Sequence, residues 1–329
     1  AENLLWYRRT FALPRNWSLQ RVLLHFGAVD WEAVVWVNGR KVGRHTGGYD
    51  PFTFDVTDAL KANAREQEIV VSVWDPTDGG TQPRGKQVRK PRGIWYTPVS
   101  GIWQTVWLEA VPQAYLKSLK IIPDIDNEQL TVTANVAGAN SKIKIRVKVE
   151  DNGGTIAEAS GLQNQPIQLK LSDVKHWSPD NPYLYDLQVS YGQDKVASYF
   201  GMRKIELGTD INGIKRIFLN NKPLFMYGPL DQGWWPDGLY TAPSDEALRH
   251  DLEVTKQLGF TLVRKHVKVE PLRWYHHCDR MGLLVWQDMP NGGGKPRWPL
   301  DGTEIERSAE ESAQFEKEWG AIIRSLHNH

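Results

Sequence analysis

The chain has 329 residues, of which 40% are hydrophobic and 24% charged, and its 40 Lys+Arg against 39 Asp+Glu give a formal net charge of +1. At ~150 residues per domain this is roughly two domains, with enough chain for a sizeable core, which excludes a small disulfide-stapled scaffold. The balanced charge excludes a global field that steers the protein to nucleic acid or an anionic membrane, and the mean hydropathy of −0.49 is that of a globular chain rather than a membrane one.

The first ~200 residues read as strands. Residues 21–26, 33–37, 69–74 and 104–108 are short, β-branched or aromatic runs separated by turn residues. Asn38-Gly39 is a type I′ hairpin signal, since both central positions need positive φ. Residues 57–60 suggest one helical turn at most, so residues 1–112 are expected to form an antiparallel jelly-roll β-sandwich of about seven strands. A second series, at 115–122, 129–136, 142–149, 166–171, 183–190 and 195–200, has polar turns such as Asp151-Asn152-Gly153-Gly154. It predicts an immunoglobulin-like β-sandwich over 113–202, without the disulfide.

After about residue 203 the period changes. Residues 223–227 read as a buried strand. Ser244 is a plausible N-cap for a helix running to Gly259. Residues 261–264 form a second strand, 271–281 a helix ended by Gly282, 283–287 a third strand and 304–326 a third helix. Consecutive strand-helix units with continuous apolar strands predict parallel α/β structure over 203–329.

No apolar run approaches the ~20 residues that span a bilayer, so no membrane partner is expected. The N-terminal residues carry no cleavage signature, and Cys278, the single cysteine, forbids an intramolecular disulfide; the compartment stays open among periplasmic, secreted and cytoplasmic. Phosphate-loop and dinucleotide fingerprints are absent, and no cofactor is expected. His276-His277-Cys278 does not make a metal set, because adjacent helical residues point ~100° apart. One packed and one solvated imidazole are expected there. The basic stretch 84–92 reads as a solvated loop, with contact to a substrate or a partner subunit as its alternative and no nucleic-acid partner expected.

Four stretches, in this order, resemble glycoside hydrolase family 2, the group of β-galactosidases, β-glucuronidases and β-mannosidases. They are Trp6-Tyr7-Arg8-Arg9-Thr10-Phe11 with Val35-Trp36-Val37-Asn38-Gly39 and Gly47-Gly48-Tyr49-Asp50-Pro51-Phe52; Ser100-Gly101-Ile102-Trp103-Gln104-Thr105-Val106-Trp107-Leu108-Glu109; Trp177-Ser178-Pro179-Asp180-Asn181-Pro182-Tyr183-Leu184-Tyr185; and Val263-Arg264 through Cys278-Asp279-Arg280-Met281-Gly282-Leu283. The resemblance implies a sugar-binding jelly roll, an immunoglobulin-like module, and the first three β/α units of a (β/α)8 TIM barrel. It also implies a retaining exo-acting β-glycosidase acting on terminal β-linked sugars of oligo- or polysaccharides. A (β/α)8 barrel takes at least 200 residues, and 329 − 212 = 117 follow residue 212. The expectation is therefore an internal fragment. Its acid/base and nucleophile glutamates are expected beyond His329, which leaves no catalytic residue in this chain and the chain alone inactive. A second copy or a segment completing the barrel is the expected protein partner, and a carbohydrate the expected ligand. The alternative is a non-catalytic carbohydrate-binding protein built on the two sandwiches.

The resemblance places substrate-binding residues at the C-terminal ends of the barrel strands. Asp231 is expected to accept sugar hydroxyls, and Trp234 or Trp235 to stack on a pyranose. Arg264 matches the family's arginine that supports the nucleophile, beside Lys265 and His266; the galactosidase and glucuronidase branches place a histidine where this chain has Val267. Trp286 and Asp288, in Trp286-Gln287-Asp288-Met289-Pro290, resemble the mannosidase side, without the glutamate and histidine that help bind magnesium. No metal is expected.

Overall fold

The computed structural model describes residues 4–62, 64–138, 142–292 and 307–329. Its first strands are Leu4–Phe11 (β1), Arg21–Phe26 (β2), Val29–Asp30 (β3), Glu32–Val37 (β4), Arg40–Thr46 (β5), Phe52–Asp55 (β6), Gln67–Trp74 (β7), Gly101–Ile102 (β8) and Val106–Val111 (β9). They form two antiparallel sheets ordered β1-β7-β4-β5 and β6-β2-β9, with β3 and β8 as a short pair. Alternation decides which side chains go in: Ala33, Val35 and Val37 of β4 meet Val22, Leu24 and Phe26 of β2 in the core, while Trp36 faces out and stacks on Trp6 at 5.7 Å. Asn38 and Gly39 take φ of 50° and 82°, as the hairpin signal requires. The expected helical turn is a 3-10 turn at Thr57–Ala59.

Tyr115–Asp124 (β10), Gln129–Ala137 (β11), Ile145–Asp151 (β12), Gly154–Gly161 (β13), Pro166–Lys170 (β14), Tyr185–Tyr191 (β15) and Asp194–Phe200 (β16) build a second sandwich, with sheets β10-β11-β14 and β13-β12-β15-β16. Leu130, Val132, Ile145, Val147, Val149 and Leu187 lie fully buried between them. One strand here is missing from the sequence reading: β13, Gly-Thr-Ile-Ala-Glu-Ala-Ser-Gly, is a largely exposed edge strand of residues with little intrinsic β-preference. Its pairing with β12 across the Asp151–Gly154 turn makes it a strand.

The third region begins with an antiparallel sheet that the sequence reading also lacks, Ile205–Thr209 (β17), Lys215–Leu219 (β18) and Lys222–Pro223 (β19). Residues 224–227, read as a buried strand, are not one. Leu224 and Met226 pack inward against Trp177, Leu262 and Leu284, but Phe225 is 81% and Tyr227 56% exposed. The first parallel strand comes later, at Leu230–Asp231 (β20), beside Leu262–Lys265 (β21) and Leu284–Gln287 (β22) in the order β20-β21-β22. Three helices accompany them: Asp245–Gln257 (α1), Leu272–Met281 (α2) and Ala309–Leu326 (α3). Ser244 caps α1 by accepting from Ala247 N, and Gly282 ends α2 in the left-handed region. A capping box of Ser308 and Glu311 starts α3 five residues later than the sequence reading, whose residues 304–306 lie outside those described.

The three regions are joined by buried side chains. Trp177 of the second sandwich is fully buried, donates Nε1–H to Asp279 O at 2.7 Å and packs under β21 and β22. Asp279 receives Arg203 at 2.9 Å, His329 at 2.7 Å and Tyr199 at 2.9 Å. Glu318 of α3 reaches the first sandwich, where its Oε1 accepts from Trp31 Nε1 at 3.3 Å. Burial, with Asp50 nearby, pushes the Glu318 carboxyl up to about 7 against the hydrogen bonds from Gln314 and Trp31. The two imidazoles of α2 are both partly buried, not one packed and one solvated. His277 holds Asp245 at 3.1 Å and His276 packs edge-on to Tyr199 at 4.9 Å.

Candidate functional site

The register of β20, β21 and β22 sorts the expected site residues onto two faces. Leu230, Arg264 and Trp286 are laterally paired, so their side chains share one face, and all three are exposed, Trp286 by 54%. Asp231, Lys265 and Gln287 form the next row and point to the opposite, helix-covered face.

On the open face Arg264 grips Asp288 bidentately, Nε to Oδ1 at 3.0 Å and Nη2 to Oδ2 at 2.9 Å. His266 stands 3.9 Å from the same carboxylate. Burial, with Lys86 and Arg264 adding to it against Asp288, lowers the His266 pKa and favours the neutral ring. Arg264, His266, Trp286 and Asp288 are thus one constellation around an open surface. It is a shape that suits a polyol: a charged fork, an imidazole and an exposed indole within one patch.

The packed face holds something else. Lys265 is 1% exposed and donates to Asp231 Oδ2 at 2.6 Å and Glu270 Oε1 at 2.9 Å, with its ammonium 4.4 Å from the Trp274 ring centre. Lys268, equally buried, meets Glu270 Oε1 at 2.9 Å, Gly233 O at 2.6 Å and Tyr240 O at 2.9 Å. Burial opposes both lysine charges. For Lys265 the carboxylates of Glu270 and Asp231 outweigh it and raise the pKa, whereas for Lys268 burial wins and lowers it. Burial likewise opposes the Glu270 charge, but Lys265 and Lys268 keep its carboxyl below the usual range. Asp231 also accepts from Gly233 N at 2.7 Å, so both of its oxygens are engaged within the protein. Asp231 and Lys265 therefore hold the 231–240 loop in place rather than reach into the open face.

Trp234 and Trp235 belong to that loop. Trp234 packs between Tyr240, at 4.6 Å, and Tyr96, at 4.8 Å. Trp234 and Tyr96, with Asp231, Trp235, His250 and Asp251, line a polar cleft of about 590 Å³ beside α1. The expected residues thus fall into two groups, Arg264, His266, Trp286 and Asp288 on the open face and Asp231, Trp234 and Trp235 along the cleft, with Lys265 buried beneath.

Sequence reasoning missed Lys268, Glu270 and Tyr96. It also took residues 84–92 for a solvated loop, but the base of that loop is seated on the parallel unit. Arg84 N and Gly85 N donate to Asn291 O at 2.7 and 3.0 Å, and Pro83 bridges Gly292. Gly85 has φ +60°, and a Cβ there would lie 2.4 Å from Val267 O, so only glycine allows this approach. The basic run was the available signal; its position was not in the sequence.

Three acids here are held by cations, Asp288 by Arg264, Asp231 by Lys265, and Glu270 by both lysines, whereas burial, with Asp231 adding to it, raises the pKa of Asp251 in the cleft. Among the described residues no group of three or more His, Cys, Asp or Glu side chains could hold a metal ion.

The chain is thus two sandwiches followed by a parallel strand-helix unit with a polar, aromatic open face. Two models of one family match the chain in order, "Glycosyl hydrolases family 2, sugar binding domain" over residues 2–112 and "Glycosyl hydrolases family 2" over residues 114–203. The chain belongs to glycosyl hydrolase family 2. It is 28% identical over 301 residues to a β-galactosidase of Thermoanaerobacter pseudethanolicus, a match covering 87% of this chain and 39% of that protein. It is 25% identical over 323 residues to the β-glucuronidase of Rattus norvegicus, covering 88% of this chain and 48% of that one. The solved β-glucuronidase of an uncultured Clostridium sp. superposes with a TM-score of 0.81 at 26% identity, covering all of this chain and 56% of that one. Ruminococcus gnavus β-glucuronidase in complex with D-glucuronic acid shares the fold, with a TM-score of 0.80 at 20% identity. The chain thus spans less than half the length of these two curated relatives.

Proposed function

We propose that this chain supplies the sugar-binding sandwich, the second sandwich and the opening barrel strands of a retaining, exo-acting β-glycosidase that removes terminal β-linked sugars from oligo- or polysaccharides. In this reading the modules run 1–112, 113–202 and 203–329, and β20, β21 and β22 are the first three strands of a (β/α)8 barrel. The observation that carries it is the open face: Arg264, His266, Trp286 and Asp288 stand together at the C-terminal ends of parallel strands, where such barrels do their chemistry.

Retaining hydrolysis needs two carboxyl groups ~5–5.5 Å apart, one protonated and one ionised. The ion-paired acids of this region are unsuited to donate a proton, so Arg264 and Asp288 orient and bind while the reacting pair comes from elsewhere in the barrel. Arg264, a fixed planar donor, supports a carboxylate or a sugar hydroxyl, and Trp286 offers a stacking surface to a pyranose. The relatives named for β-galactosidase and β-glucuronidase activity support this class of reaction, and both sugars are candidates.

The test is hydrolysis of aryl β-galactosides, β-glucuronides and β-mannosides by the 329-residue chain and by a polypeptide continued past His329 along its reading frame. Turnover by the longer polypeptide, lost in its Arg264→Lys variant, is the expected result. Turnover by the 329-residue chain that depends on one of its own carboxylates contradicts the reading, and sugar binding without turnover by either favours a non-catalytic carbohydrate-binding protein.

A further inference from the structure

Segment 84–96 of the first sandwich concentrates positive charge. Residues 79–99 include Arg84, Lys86, Arg89, Lys90 and Arg92 and not one acid, in a protein whose net charge is +1. Arg89 pairs with Asp78 at 2.7 Å, but among the described residues no ion pair holds Lys86, Lys90 or Arg92. Lys90 and Arg92 are exposed at the tip, beside Ile94 at 65% exposure.

Position makes this run more than a solvated patch. The start of the segment is fixed to Asn291 and Gly292, and Gly85 sits on Val267. Lys86 Nζ lies 5.6 Å from the ring centre of Tyr96, and Tyr96 packs on Trp234. Lys86 is also close enough to His266 to disfavour its protonation. Lys86 is therefore held near His266 of the open face and Tyr96 of the same segment against Trp234 of the cleft, with Lys90 and Arg92 on its exposed stretch. A single exposed cation contributes little in water. Several on one anchored segment act together on a ligand that carries several negative charges, and the attraction is strongest at low salt.

We propose that segment 84–96 is the outer wall of the sugar site and that its exposed cations Lys90 and Arg92 select saccharides bearing carboxylate or sulfate groups on units beyond the one held at Arg264. This rests on the glycosidase reading above and adds the substrate class to it.

Affinity electrophoresis of the 329-residue chain tests it, with gels containing polygalacturonate, dextran sulfate or neutral dextran at low salt. The variants are Lys90→Gln with Arg92→Gln, and a charge-matched control, Lys215→Gln with Lys222→Gln, on β18 and β19. Retardation by one or both polyanions and not by dextran is expected, weakened about tenfold by the Lys90 and Arg92 pair of substitutions and unchanged by the control. Retardation by polygalacturonate alone assigns carboxylates, and by dextran sulfate alone sulfate esters. Equal mobility in all three gels, or equal loss in both double variants, overturns the proposal, as does tighter binding of a DNA duplex than of either polyanion. Failure of the glycosidase reading shows separately, as no hydrolysis of aryl β-glycosides by the longer polypeptide.

Discussion

The two faces of the three-stranded parallel sheet use the same kinds of residue to opposite ends. On the open face an arginine and an aspartate pair at the surface, where water screens them and little stability is at stake. On the packed face two lysines and a glutamate, all at most 3% exposed, form a closed cluster in which each charge exists because of the others. The comparison teaches that a charged side chain at a strand end is not by itself a binding residue. Arg264 and Lys265 are neighbours in sequence and have opposite roles because a strand alternates.

The largest effect is expected from Glu270→Ala. It leaves Lys265 with Asp231 alone and Lys268 with only carbonyl partners, and breaking a buried pair of this kind costs about 3–5 kcal/mol. Denaturant unfolding followed by tryptophan emission should show loss of the third region at lower denaturant; an unchanged midpoint would mean that the cluster is not what holds the packed face.

Glu318→Gln comes next and is read through pH. The folded carboxyl titrates at about 7, above an ordinary glutamate near 4.5. As pH rises from about 4.5 to 7, the unfolded chain gives up this proton while the folded chain keeps it, so the group removes stability across that window and the loss is complete above about 7. The glutamine variant should lack this decline and be more stable than the parent at pH 8 by roughly 2–3 kcal/mol. Parallel stability curves for the two proteins between pH 5 and 8 would contradict it.

The smallest effect on stability is expected for Arg264→Lys, within about 1 kcal/mol, because its pair is exposed. Its effect on turnover should be the reverse, a loss of 10²-fold or more in kcat/KM in the longer polypeptide, since lysine cannot reproduce the fork. A large stability loss with kcat/KM unchanged would exchange the roles assigned to the two faces.

Much of the fold was legible where local preference and tertiary environment agree. Val34, Val35 and Val37 are β-branched beside the aromatic Trp36, and Ser244 and Gly282 cap helices as their chemistry predicts. The reading failed where they part. Gly154–Gly161 is a strand only because β12 pairs with it, and residues 223–227 look buried because all are large and apolar, although Phe225 and Tyr227 face outward. The candidate site was half legible. The resemblance pointed to Arg264, His266, Trp286 and Asp288, and the structure brings these four together around one open face. The burial of Lys268 and Glu270 could not be read, because a Val-Lys-Val-Glu alternation reads as a half-exposed strand until Trp103, Tyr240 and Trp274 are packed around it. The placement of segment 84–96 was hidden for the same reason, since its seat on Asn291 joins residues some 200 positions apart.

The most direct test of the central claim, that sugar meets the open face and not the packed one, is tryptophan oxidation footprinting of the longer polypeptide with and without a saturating β-glycoside. Protection of Trp286, with the buried Trp274 unchanged, is the predicted result. Protection confined to tryptophans of the first sandwich, with Trp286 oxidised equally in both samples, would contradict it.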